Sequence, residues 1–146
     1  MRIIEILIAV LVVSTLATAP RDAPSSAVLT ALILATAFYA YLGFLIFNGI
    51  GLRKVFRASS YQGLSIVQIV FSVVCGFVIG LGFCSMLFIL YQWPGLEMYR
   101  KAYPVFIVGM VGTSFVTYLR GSAVGKRALV RSIPMLLLCI YVFYIR

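Results

Sequence analysis

The sequence predicts an all-α membrane protein, a polytopic helix bundle with five transmembrane helices in a single domain, residues 1–146. Of the 146 residues, 64% are hydrophobic and 10% are charged, whereas about a quarter of the residues of soluble domains carry charge. The charged residues fall in short gaps between long apolar runs, and about 20 such residues cross a bilayer as a helix. The predicted spans are residues 3–19, 27–52, 65–92, 102–119 and 128–145.

The first run is the shortest and admits two interpretations. Arg2, the apolar stretch and Ala17-Thr18-Ala19 resemble a signal peptide. Pro20 is a poor residue to follow a cleavage site, which favours an uncleaved first helix; cleavage would leave four spans. Glu5 lies one turn inside this run, where we expect it to reach the membrane surface or to pair with Arg2 or the α-amino group. A polar hinge at Pro20, Asp22 and Pro24 precedes the second run.

The basic residues predict the orientation of the bundle. With the N-terminus in the cytoplasm, eight of the twelve basic residues fall in inside segments and four in outside segments, as the positive-inside rule requires. The expected topology is therefore N-terminus in and C-terminus out, in a bacterial inner membrane or an organellar inner membrane. Beside Arg2, the inside set is a group of cytoplasmic basic anchors: Arg53, Lys54, Arg57, Arg120, Lys126, Arg127 and Arg131. The outside set is Arg21, Arg100, Lys101 and Arg146.

Small residues at helical spacing predict where helices pack closely. Such residues let neighbouring backbones approach in a membrane. The GxxxG pair of Gly76 and Gly80 favours packing within the chain, with dimerisation as the alternative. The predicted helix-packing residues are Ala31, Ala35, Gly76, Gly80, Gly109, Thr113 and Thr117.

The residues that would support catalysis or metal binding are scarce. The chain has three acidic residues, Glu5, Asp22 and Glu97, and no histidine. It therefore lacks the residue that a Ser-His-Asp triad and an imidazole metal site both require. The cysteines Cys75, Cys84 and Cys139 lie in apolar runs without CxxC spacing. We therefore expect no catalytic residue, no cofactor and no metal. The basic residues are scattered at the ends of apolar runs, which argues against nucleic acid as a partner and for the lipid bilayer.

Neutral polar residues inside the runs have two interpretations. Tyr39, Asn48, Gln68 and Thr113 would line a cavity for an uncharged solute if they converge near mid-membrane. Alternatively, each makes an interhelical hydrogen bond.

One string carries a family resemblance. Residues 54–65, KVFRASSYQGLS, resemble the loop after the first helix of the PQ-loop proteins, the group of the SWEET and SemiSWEET sugar transporters. Ser60, Gly63, Leu64 and Ser65 fit the Ser-x-x-Gly-Leu-Ser of that loop, while its Pro-Gln is replaced by Ile50 and Gly51. Over residues 30–119 the resemblance implies a carrier of uncharged solutes built as a dimer of three-helix units. The other interpretation is a positive-inside loop with Ser60 or Ser65 as the N-cap of the next helix.

Three functional classes follow. The leading hypothesis is a non-enzymatic membrane subunit that packs with, stabilises or assembles a larger membrane complex. The alternative is a small uncharged-solute transporter that acts as an oligomer. A lipid-modifying enzyme would need a site made by Glu97, Arg100 and Lys101. Other membrane proteins or further copies of the chain are the expected partners.

Overall fold

A computed structural model describes residues 2–18 and 25–145, and within these ranges all regular structure is helical. The all-helical prediction is therefore confirmed for the described residues. The predicted hinge at Pro20, Asp22 and Pro24 lies outside them. The helices are α1 (Arg2–Thr18), α2 (Ser26–Asn48), α3 (Ile66–Leu90), α4 (Leu96–Leu119) and α5 (Ala123–Ile140).

Helices α2, α3 and α4, and α5 together with the turn that follows it to Tyr144, are each long and apolar enough to cross a membrane. A π-helical turn, Tyr141–Ile145, prolongs α5. Helix α1 is apolar but, at 17 residues, lies at the short limit for crossing a hydrocarbon core of about 30 Å. The chain thus has the helices of a polytopic membrane bundle, as the sequence predicted in outline.

Local signals explain where the helices begin and end. Helix α2 ends at Asn48, earlier than the predicted residue 52, because Gly49 adopts φ +72° and its N–H donates to Ile46 O at 3.2 Å. Helix α3 begins after Ser65, whose hydroxyl accepts from Gln68 N while the Gln68 side chain accepts from Ser65 N. This capping box selects Ser65 over Ser60 as the N-cap.

Helix α5 begins at Ala123, five residues before the predicted start of the span. The hydroxyl of Ser122 accepts from Gly125 N at 3.4 Å and caps this first turn. Pro134 consequently lies in the interior of α5. Arg131 lies eight residues after Ala123, about 12 Å along the axis at 1.5 Å per residue. An earlier helix start therefore places this arginine well inside the bundle.

Helix α3 is the centre of the bundle and contacts α2, α4 and α5, while α1 packs on α2. Gly43 of α2 and Gly76 of α3 approach each other closely: a Cβ on Gly76 would lie 2.8 Å from both Gly43 Cα and Tyr39 O. A Cβ on Gly80 would lie 3.2 Å from Thr36 O. The GxxxG pair is thus used for packing within the chain, the interpretation that the sequence favoured.

Candidate functional site

A polar cluster of Glu5, Tyr39 and Arg131 joins α1, α2 and α5. Arg131 donates from Nη2 to Glu5 Oε2 at 2.7 Å and from Nε to Glu5 Oε1, which makes a two-point ion pair. The Tyr39 hydroxyl donates to Glu5 Oε1 at 3.1 Å. The side chains of Arg131 and Glu5 are only 18% and 12% exposed. Since ionised groups are costly to remove from water, their charges need this mutual compensation.

The arginine end of the cluster is extended by Phe47 and Arg127. The guanidinium of Arg131 lies 5.5 Å from the centre of the Phe47 ring, within the range of a cation–π contact, and Nη1 of Arg131 donates to Arg127 O at 2.9 Å. Arg127 in turn donates to Phe47 O at 3.1 Å, near the C-terminal end of α2. That helix end carries a partial negative charge, which a guanidinium stabilises.

Gly49 makes room for Arg127. A Cβ at this residue would lie 2.7 Å from Arg127 Cζ, and its φ of +72° is one that other residues adopt with strain. One residue therefore ends α2 and lets the guanidinium approach the helix end.

The predicted basic anchors divide into two groups. Arg127 and Arg131 are half-buried and hydrogen-bonded within the bundle. The exposed group is Arg53, Lys54, Arg57, Arg120 and Lys126. Glu5 has Arg131 as its charged partner, across 126 positions of sequence, and not the membrane surface.

The four predicted cavity-lining residues do not converge. Tyr39 contacts Glu5, whereas Asn48 donates to Ser72 Oγ at 2.7 Å and to Phe44 O at 2.8 Å. Gln68 closes the capping box of α3. Thr113 is exposed and donates to Gly109 O of its own helix at 2.9 Å. Each side chain has a separate neighbour.

The predicted packing residues also divide. Ala31, Ala35, Gly76 and Gly80 are buried. Thr117 is half-buried beside Gly125, at which a Cβ would lie 2.6 Å from Tyr118 N. By contrast, Gly109 and Thr113 are exposed, and a Cβ at Gly109 would meet no heavy atom within 4 Å. Thr117, at the C-terminal end of the predicted stripe on α4, therefore packs on α5, whereas Gly109 and Thr113 face outward.

Comparisons of the chain with protein-family models, curated protein sequences and solved structures give no match. The resemblance of residues 54–65 to the PQ-loop proteins therefore stays a prediction. Function has to be argued from the geometry of the side chains.

The contacts of the polar cluster hold three helices together. Within residues 2–18 and 25–145, no group of three His, Cys, Asp or Glu side chains is close enough to hold a metal ion. Glu5 accepts from both Arg131 and Tyr39, so its two oxygens are occupied. A carboxylate with these donors is held in place by charge-assisted hydrogen bonds. The cluster therefore stabilises the position of α1 against α2 and α5.

Sequence reasoning missed the pairing of Glu5 with Arg131, although a signal was available. Glu5 is the one acidic residue inside a predicted apolar run, and Arg131 is a basic residue inside another. Opposite charges that are both placed in hydrocarbon are expected to pair.

Proposed function

We propose that the chain is a non-enzymatic integral membrane subunit that packs with, and stabilises or assembles, a larger membrane complex. The observation that carries the proposal is an open groove on the outward face of α4. Its floor is Gly109 and Gly112, at both of which a Cβ would meet no heavy atom within 4 Å. Its walls are the exposed side chains of Val105, Val108 and Val116.

These residues form one continuous stripe. The positions 105, 108, 109, 112, 113 and 116 follow a spacing of three and four, so they share a face of the helix. The hydroxyl of Thr113 bonds to Gly109 O and Met110 O of its own helix. The hydroxyl proton of Thr113 is thus already hydrogen-bonded within α4. An apolar helix that packs on this face would not bury an unpaired donor.

The contrast with the other helical glycines supports a partner at this groove. Gly43, Gly76, Gly80, Gly82 and Gly125 each lie against another helix of the chain. Glycine in a helix costs about 1 kcal/mol relative to alanine, and in those five cases close packing offsets the cost. Gly109 and Gly112 have no such contact within the described residues, whereas close approach of a second transmembrane helix would supply it.

Five spans are part of the proposal. With α1 as the first span and the N-terminus in the cytoplasm, the connections at 49–65 and 120–122 face inward. This arrangement places the exposed Arg53, Lys54, Arg57 and Arg120 on the inner side. A bacterial inner membrane fits that bias. The carrier alternative required Tyr39, Asn48, Gln68 and Thr113 to converge, and their separate hydrogen bonds give it no support.

The experiment is a gentle native purification of the tagged chain from its own membrane, with intact mass and identification of every component. We expect stoichiometric co-purification with a larger membrane protein. Gly109→Leu fills the groove and should abolish that co-purification. Ala9→Leu is the matched control, because it adds bulk to an exposed residue of α1, and it should retain the partner.

Two results would contradict the proposal. A particle that contains only copies of this chain would exclude the subunit role. Equal loss of partner in Gly109→Leu and Ala9→Leu would show that the groove on α4 is not the contact surface.

A further inference from the structure

The loop between α2 and α3 lines an open cavity of about 320 Å³ at the end of α2. This volume falls at the lower end of the range of about 300–1,000 Å³ that holds small ligands. The polar side chains of its wall that come from the loop are Lys54, Arg57, Ser59 and Ser60. The loop therefore presents ammonium, guanidinium and hydroxyl donors to one open cavity.

The loop has a defined conformation that holds the cavity open. The ring of Tyr61 is nearly parallel to that of Phe44 in α2, with centroids 6.0 Å apart. The Tyr61 hydroxyl donates to Val55 O at 2.6 Å, and Ser60 N donates to Arg57 O at 2.9 Å. Two short 3₁₀ turns, Leu52–Lys54 and Ala58–Tyr61, complete the loop. The cavity wall is thus joined to α2 by ring stacking and held in shape by hydrogen bonds within the loop.

The basic and hydroxyl side chains of the cavity make no bond within the described residues. Within the described residues, the ion pairs are Glu5 with Arg131 and Glu97 with Lys101. The side chains of Lys54, Arg57, Ser59 and Ser60 make no ion pair or hydrogen bond there. The C-terminal end of α2, which would attract a cation, is already occupied by Arg127 on Phe47 O. Two positive charges and two hydroxyls are consequently free to bind an anion.

We propose that this cavity binds the phosphate of a glycerophospholipid headgroup, with Lys54 and Arg57 on the phosphate charge and Ser59 and Ser60 as hydrogen-bond donors. Arginine and lysine bind phosphate oxygens through charge-assisted hydrogen bonds. With no carboxylate beside the cavity, an anionic headgroup such as phosphatidylglycerol is preferred over zwitterionic phosphatidylcholine. The proposal does not depend on the subunit role.

A membrane lipid is favoured over free phosphate by Phe56. This ring lies between the two basic residues in the sequence and is 98% exposed. An exposed aromatic side chain flanked by basic residues, at the end of a membrane-length helix, is typical of a segment that inserts into the lipid interface. The cavity would then open at the depth of the headgroups.

The test uses the full chain, reconstituted in vesicles of equal phosphatidylglycerol and phosphatidylcholine with matched acyl chains. The protein is then extracted in mild detergent, and retained lipid is measured by native mass spectrometry. We expect phosphatidylglycerol to be retained. Lys54→Gln or Arg57→Gln should each lower its retention about tenfold, since one charge-assisted hydrogen bond is lost.

Two further variants separate a built site from general attraction to a basic surface. Arg53→Gln removes a neighbouring exposed charge that is outside the cavity wall, and it should leave retention nearly unchanged. The paired variant Ser59→Ala with Ser60→Ala keeps every charge and should lower retention about threefold or more. Circular dichroism confirms that each variant has wild-type helix content.

Three outcomes would overturn the proposal. Equal effects of Arg53→Gln and Arg57→Gln would indicate general surface attraction. Equal retention of the two lipids would exclude selection of an anionic headgroup. Displacement of the lipid by an excess of inorganic phosphate, with phosphate then bound to the protein, would identify free phosphate as the ligand.

Discussion

The guanidinium of Arg131 binds the carboxylate of Glu5 at two points, with Nη2 and Oε2 2.7 Å apart, and so connects the last helix of the bundle to the first. Both side chains are largely buried, and Arg131 lies about 12 Å into α5. The pair therefore differs from the surface ion pairs of membrane proteins, in which long side chains reach the headgroups. Removal of one partner leaves the other as an uncompensated charge.

Glu5→Gln tests this dependence. The variant retains the size of the side chain but leaves the charge of Arg131 without a counter-ion, and loss of one partner of a buried pair typically costs about 3–5 kcal/mol. We expect a decrease of that size in the free energy of unfolding. It is measured by denaturant titration in detergent micelles with circular dichroism as the signal.

The matched control is Glu97→Gln. Glu97 and Lys101 form an ion pair at 3.8 Å with side chains 66% and 81% exposed, and exposed pairs contribute about 0–1 kcal/mol. The double variant Glu5→Leu with Arg131→Met removes both charges together. Its loss should be smaller than that of Glu5→Gln, and a larger loss would show that the pair itself, rather than the unpaired charge, dominates.

Tyr39→Phe removes the second donor to Glu5. The Tyr39 hydroxyl lies 3.1 Å from Oε1, while the ring stacks on Phe83 with centroids 5.8 Å apart and keeps that contact in the variant. Buried hydrogen bonds of this kind contribute about 1 kcal/mol, and we expect a decrease of about that size in the unfolding free energy. Tyr41→Phe is the control, because Tyr41 is 84% exposed. Equal decreases in unfolding free energy for Tyr39→Phe and Tyr41→Phe would show that the hydrogen bond to Glu5 is not the cause of the loss.

The fold was predictable in outline because an apolar run long enough to cross a membrane indicates a helix. The ends were less predictable, since they depend on caps such as Gly49 and Ser122. One of these errors had a consequence for the site. A span predicted to begin at residue 128 put Arg131 within about a turn or two of a membrane face, whereas in the structure α5 begins at Ala123 and Arg131 is eight residues inside it. The pairing with Glu5 was missed for that reason.

Pairings between distant residues were the other part that could not be predicted. The spacing of Gly76 and Gly80 indicates close packing without specifying the partner, which is α2 in the structure. The same spacing rule applied to Gly109, Thr113 and Thr117 gives one stripe, and the structure divides it between α5 and the outward face. A periodic pattern identifies a face of a helix, but tertiary contacts decide what that face meets.

Gly76→Ala tests the close approach of α2 and α3. The added methyl group would lie 2.8 Å from Gly43 Cα and from Tyr39 O, and both are backbone atoms that cannot rotate away. Overpacking of this kind costs about 1–3 kcal/mol, so we expect the unfolding free energy to fall by that amount. Gly109→Ala has open space around it and should leave stability unchanged or raise it by up to about 1 kcal/mol. A neutral Gly76→Ala would mean that the two helices separate at little cost.

Ser65→Ala tests the capping box that begins α3. The Ser65 hydroxyl accepts from Gln68 N at 3.2 Å, and without it that N–H, one of the unpaired donors of the first turn, loses its partner. Loss of such a cap costs about 0.5–2 kcal/mol, and we expect a decrease of about 1 kcal/mol in the unfolding free energy. Ser25 is also an N-cap residue but makes no side-chain cap hydrogen bond, so Ser25→Ala should have almost no effect. If both variants lose the same stability, the difference in hydrogen bonding between the two caps does not matter. If only Ser65→Ala is destabilised, the hydrogen bond from Gln68 N to the Ser65 hydroxyl accounts for the lost stability.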